Sequence, residues 1–135
     1  MASWAYCFAV RAGFPEPVEE IQTLADVAQR GLPAYLMLAE RPDPPMARAQ
    51  AGDSVLLCTR SAKQLWCHGE AAIAVVPRAL HATPSQVLDL YGPTHDRWFA
   101  ELRDVRLFDR RVLSELTSEE HDAFVSGQAY VKRLS

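Results

Sequence analysis

The apolar and polar positions of the chain follow two periods in turn. Residues 4–10, from Trp4 through Tyr6, Cys7 and Phe8 to Val10, are a continuous aromatic-rich run bounded by Ala12-Gly13, which predicts a strand inside a sheet. Pro15 and Pro17 then lead into Val18, Ile21, Leu24, Ala25 and Ala28, an i, i+3, i+4 stripe opposite Glu19, Glu20 and Asp26. That spacing predicts an amphipathic helix, with proline at its first turn and Gly31 at its end. Residues 34–39 form a short apolar run and predict a second strand, stopped by the proline-rich segment from Glu40 and Arg41 to Pro45. Ala51-Gly52-Asp53 predicts a turn and Ser54 to Thr59 a strand. Arg60 to Lys63 predicts a polar hairpin tip. Leu65 to Val76 predicts a long extended segment with Gly69 as a bulge or close-approach point.

The second half carries its own punctuation. Thr83-Pro84 predicts the start of a short helix through Val87, Leu88 and Tyr91, stopped by Gly92-Pro93. From Trp98 to Phe108 the apolar positions are 98, 100 and 102, then 105 and 107, so the alternation slips phase at Arg103-Asp104. A long strand with a bulge there is expected. Thr117 and Glu120 have capping-box spacing for a short helix to Val125, and Ala129 to Leu134 predicts a closing strand. Without repeated βαβ units, this order predicts an α+β fold: a small mixed β-barrel of about 5–7 strands with 2–4 short helices packed around it.

Length and composition set bounds on this picture. The 135 residues suit one domain, 1–135, and 49% hydrophobic with 23% charged residues are ordinary for a globular protein. No run approaches the about 18 apolar residues that a spanning helix needs, so no membrane association and a cytoplasmic address are expected. The net charge of −3 excludes a global positive field, so any nucleic-acid contact must be local. Residues 1–59 carry four basic side chains against seven acids, whereas residues 60–135 carry ten of each. Cys7, Cys58 and Cys67 are odd in number and lie in strand-like runs, as reduced core thiols do. Zinc-type C-x-x-C or H-x-x-x-H pairs, a G-x-S-x-G elbow and glycine-rich phosphate loops do not occur, and neither metal nor cofactor is expected.

The layout resembles the PUA-like superfamily, in particular its ASCH and EVE branches. The resemblance runs over nearly the whole chain: Trp4 in the opening strand, the Gly31-bounded helix, Glu40-Arg41-Pro42, Gly52 to Leu57, Gly69-Glu70-Ala71, Phe99 to Phe108, and Gly127 to Leu134. It implies binding of RNA, or of DNA carrying modified bases, or of related small molecules. A few ASCH-like members are amidohydrolases or nucleases, which implies as an alternative a hydrolase acting on a modified nucleoside or on RNA. The ASCH pattern G-x-K-x-x-E-x-R, begun at Gly31, falls on Pro33, Leu36 and Leu38, so its lysine is missing.

Candidate residues follow from base-recognition chemistry. Trp4, Tyr6, Trp66 and Trp98 are candidate walls for a nucleobase, since each stacked base contributes about 1–3 kcal/mol. Glu40 and Arg41, beside a rigid strand, are candidate readers of polar base edges. Arg60, Lys63, Arg103, Arg106, Arg110, Arg111, Lys132 and Arg133 are candidate phosphate contacts, with Asp104, Asp109 and Glu101 interrupting the set. Glu40 and Lys63 are the acid–base candidates of the hydrolase alternative. The dispersed His68, His81, His95 and His121 have no helical pairing and suggest no shared catalytic role. The remaining alternative, a protein-interaction or small-metabolite domain, rests on the acidic first half.

Overall fold

The computed structural model describes residues 1–10, 16–38, 46–80, 87 and 97–135, with residues 79 and 80 in backbone only. Six strands and two helices are described: β1 (Ser3–Phe8), α1 (Pro17–Gln29), β2 (Ala34–Met37), β3 (Ser54–Ser61), β4 (Gln64–Leu80), β5 (Arg97–Val112), α2 (Ser118–Ser126) and β6 (Val131–Arg133). They form one mixed sheet in the order β2-β5-β4-β3-β1-β6, in which β1 and β3 are parallel and the other neighbours antiparallel. The expected α+β class and strand count hold. The ladder runs from β2 to β6, and among the described residues no pairing joins those two edges. The sheet is nevertheless strongly curled, because the Tyr6 hydroxyl on β1 donates across the core to the Met37 carbonyl on β2, 2.5 Å away.

Among the described residues two apolar clusters lie on the two faces of β1, and a third, of Tyr35, Met37, Val87 and Phe99, lies at β2 and β5. Trp4, Tyr6 and Phe8 point into the main core with Ile21 and Leu24 of α1, Leu36 and Val55. Ala5 and Cys7 point the other way, into a smaller cluster with Cys58, Leu65, Cys67, Leu113 and Phe124 of α2. Because successive strand residues face opposite sides, a run apolar at every position is what burial on both faces demands.

The helix ends form as their residues dictate. Gly31 at φ 76° lets the Leu32 and Gly31 amides donate to the Val27 and Ala28 carbonyls, a Schellman termination of α1. The Thr117 side chain accepts from the Glu120 amide while the Glu120 carboxylate accepts from the Thr117 amide, the reciprocal box expected at the start of α2. Neither described helix is long and apolar enough to cross a membrane.

The strand expectations change in extent: β1 ends at Phe8 and not Val10, and β5 runs from Arg97 to Val112 and not from Trp98 to Phe108. β3 reaches Ser61, so the hairpin turn is only Ala62 and Lys63. β4 runs on to Leu80, with Pro77 inside it. β6 is only Val131–Arg133, because the Ala129 amide is spent on the Ala123 carbonyl in closing α2. Hydrogen bonds from Cys7 N to Tyr130 O and from Leu134 N to Ser3 O continue its pairing with β1 at either end. The helix expected from Thr83 to Tyr91 lies outside the described residues, except for Val87, which is helical and buried.

Candidate nucleic-acid interface

The β3–β4 hairpin turns on Ala62 and Lys63, both with positive φ (52° and 62°), the two-residue geometry whose twist matches the flanking strands. Lys63 is exposed at the tip. Trp66 follows on β4, opposite Thr59 of β3 and Val112 of β5. Its neighbours Leu65 and Cys67 enter the smaller cluster, so Trp66 projects from the opposite face, half-buried. The Arg110 guanidinium lies over its ring at 4.3 Å from the centroid, a cation–π stack.

A bulge makes the next residue part of the same cluster. Cys58 pairs with Cys67 and Leu57 with Gly69, so His68 is one residue extra on β4. Its Nε2 sits 2.6 Å from the Thr59 hydroxyl. Burial first, and then the Arg110 charge, push the His68 pKa below its ordinary value. At pH 7 the ring is therefore neutral and can offer both a donor and an acceptor. Trp66, Arg110, His68 and Thr59 together give a flat ring, a fixed cation and hydrogen-bonding groups, which are the parts needed to hold a nucleobase.

The candidate phosphate contacts divide into three groups. On β5, Arg103 pairs with Ala72 and Arg106 with Glu70, three steps on β5 against two on β4. The extra residue is the bulge expected from the phase slip, and Asp104 adopts φ 53° within it. Glu70 and Ala72 alternate with the core residues Ala71 and Ile73, so Arg103 and Arg106 face away from the main core, on the side of the ribbon opposite Trp66. Arg106 is ion-paired with Glu70. Arg111 pairs with Glu115 at 2.8 Å, a bond that holds the Glu115 carboxyl low. Arg60 donates to the Phe124 carbonyl at 3.1 Å, so it clamps the C-terminal end of α2, where the helix dipole favours a cation. Lys132, bonded to Glu120 at 2.9 Å, and Arg133, bonded to the Ser135 carbonyl, lie on β6 at the other end of the strand order.

The remaining candidates are placed as follows. Trp4 is 6% exposed and its indole N–H donates to Asp53 at 3.1 Å; Tyr6 is 1% exposed. Both therefore have their rings in the main core. Trp98 is half-buried against that core, and its carbonyl accepts from the Leu38 amide. Glu40, Arg41, His81 and His95 lie outside the described residues, so Lys63 is seen here without the acid expected beside it. His121 is 3.6 Å from exposed Asp122. No group of three potential metal ligands occurs among the described residues. A separate cleft of ≈ 260 Å³ opens between α2 and β6 over Phe124 and Val131. The bulge expected at Gly69 is present one residue earlier, at His68, and the pairing of His68 with Thr59, nine residues apart across the hairpin, has no signal in the apolar pattern. Arg110 is legible in sequence as a candidate phosphate contact but not as the partner of Trp66, and His68 only as one of four dispersed histidines.

Over nearly its whole length the chain shares its fold with solved structures, at low sequence identity. Two of these structures are of human proteins. The THYN1 protein, solved in complex with DNA containing 5-methylcytosine, matches with a TM-score of 0.58 and 14% identity over 100% of this chain and 91% of that one. The DUF55 domain of human thymocyte nuclear protein 1 matches with a TM-score of 0.52 and 14% identity over 98% and 91% of the two chains. No family model matches the sequence, and no curated protein matches it.

Proposed function

We propose that this chain is a nucleic-acid-binding module that accepts a modified base, with the curled sheet as the wall of a small barrel and Trp66 as the stacking surface beside it. The observation that carries the reading is the full-length likeness of fold to a protein solved with 5-methylcytosine DNA. The Trp66 cluster supports it locally. In this reading Arg110 and Lys63 meet phosphates or the stacked ring, and neutral His68, held at Nε2 by buried Thr59, offers its other ring nitrogen to a base edge. Stacking is assigned to Trp66 rather than to Trp4 or Tyr6, because the latter two rings are packed on all sides in the core.

The test is a fluorescence titration with short single- and double-stranded DNA and RNA, with and without 5-methylcytosine, at two salt concentrations. Saturable quenching that depends on the modified base, abolished in Trp66→Ala and kept in Trp98→Phe, is the expected result. Equal binding of modified and unmodified oligonucleotides would overturn the modified-base reading. Absence of binding to every oligonucleotide would overturn the nucleic-acid reading and favour a protein or metabolite partner.

A further inference from the structure

The three cysteines, far apart in sequence, lie in one row across adjacent strands. Cys7 of β1 is in register with Cys58 of β3, and Cys58 is directly opposite Cys67 of β4. All three point into the smaller cluster beneath α2, with Leu65, Leu113 and Phe124, and all are free thiols.

From this juxtaposition we propose that Cys58 and Cys67 form a redox pair, closing to a cross-strand disulfide when the protein meets a peroxide. Directly opposed antiparallel residues have Cα atoms about 4.5–5.5 Å apart. That lies inside the span of about 4.4–6.8 Å over which a disulfide can close. The Cys67 thiol turns to the Gly69 carbonyl at 3.7 Å, within its own bulge, and the Cys7 thiol to the Phe8 carbonyl at 3.9 Å. The register shift next to Cys58 and Cys67 supplies backbone slack for the closure. The row of three places Cys58 on the strand between its outer members, Cys7 and Cys67, which suits a pairwise bond between neighbours.

The chemistry divides the roles. The hydrogen bond from Cys58 lowers the Cys67 pKa; burial opposes this, and the Arg111 charge adds to the lowering. Cys67 is also directly opposite Arg111 of β5, and this placement makes it the nucleophile of the pair. Its thiolate sulfur attacks a peroxide oxygen and the O–O bond breaks, giving a sulfenic acid and, after protonation, water. The Cys58 sulfur then displaces hydroxide from that sulfur, and a second water leaves. In sum, two thiols and one peroxide give one disulfide and two waters; the sulfurs lose two electrons and the peroxide oxygens gain them. Cys67 lies between Trp66 and His68, so the bond would lock the bulge that sets both side chains.

The experiment exposes the intact folded protein to hydrogen peroxide, blocks remaining thiols with iodoacetamide and digests with trypsin. The three cysteines fall in separate peptides, 1–11, 49–60 and 64–78. Expected is a loss of two hydrogens per chain, a link joining 49–60 to 64–78 that dithiothreitol reverses, and a shift in tryptophan emission absent from Trp66→Phe. The link persists in Cys7→Ser and is lost in Cys58→Ser and Cys67→Ser. A dominant link through peptide 1–11, or three alkylatable thiols after peroxide in protein whose circular dichroism is native, overturns the proposal. None of these readouts involves nucleic acid, so they stand or fall apart from the function proposed above.

Discussion

Asp53 accepts hydrogen bonds from the Ala2 amide at 3.0 Å, the Trp4 indole at 3.1 Å and the Gln50 amide at 2.9 Å, and it is buried. Burial works to raise its pKa, but these three donors overcome that effect and hold the carboxyl below its ordinary 3.8. A carboxyl depressed on folding contributes stability that is fully present above the unfolded value and is lost as pH falls through the folded one. Asp53→Asn keeps the size but turns an amide N–H₂ toward groups that only donate. It should cost on the order of 3 kcal/mol at pH 7 in urea unfolding. The difference between wild type and variant should shrink as pH falls below about 4. A difference constant from pH 7 to pH 2 would show that Asp53 is not the titrating group. No local pattern marks Asp53 as the partner of Trp4, since the two are 49 residues apart. This is why Trp4 reads in sequence as an aromatic free to stack.

Turns and bulges carry most of the specification at the level of elements, and two glycines show different reasons for it. A Cβ on Gly69 would lie 2.6 Å from the Arg106 carbonyl oxygen, a backbone atom that can move only by parting β4 from β5. A Cβ on Gly31 would meet nothing within 4 Å, and only its φ of 76° opposes a side chain. Gly31→Ala should therefore cost about 1 kcal/mol. Gly69→Ala should cost about 2–3 kcal/mol and loosen amide-exchange protection along the ribbon. Equal costs would mean that the close approach is not tight. Thr117→Ala removes the side-chain acceptor of the α2 box and should lower stability by about 1 kcal/mol, read from thermal melts. Such features differ in how legible they are. The Asp104 bulge shows as a slip in alternation because β5 is polar on one side there, so an extra residue moves the apolar set to the other face. The His68 bulge leaves the apolar pattern unchanged, because Leu65, Cys67 and Trp66 are apolar on both faces, and only Gly69, which reads as a bulge or close-approach point, marks it.

Charge is distributed over the whole molecule so that the candidate cations do not form one field. Lys63 and Arg110 lie at the hairpin end of the sheet, Arg103 and Arg106 on the opposite face of the β4–β5 ribbon, and Lys132 and Arg133 on the far edge strand. The sequence lists these cations but cannot order six strands, so it cannot say which of them share a face. If the proposed interface is correct, Lys63→Ala lowers the salt dependence of oligonucleotide binding by about 0.7–0.9 in log–log slope, one phosphate contact. The double change Lys132→Ala and Arg133→Ala leaves that slope as it was; the reverse result would move the interface to β6.

The placement of β1 has a consequence for how the chain reaches this state. Its partners are β3, in register from Ser3↔Ser54, and β6, in register from Trp4↔Arg133, so neither neighbour is local. Closing loops of that length costs entropy before any contact compensates it, which places refolding in the millisecond-to-second range. As the chain is synthesised, the apolar run from Trp4 to Phe8 must wait for both partners. During that interval it is an unpaired strand, and the nascent chain is most exposed there to misassociation.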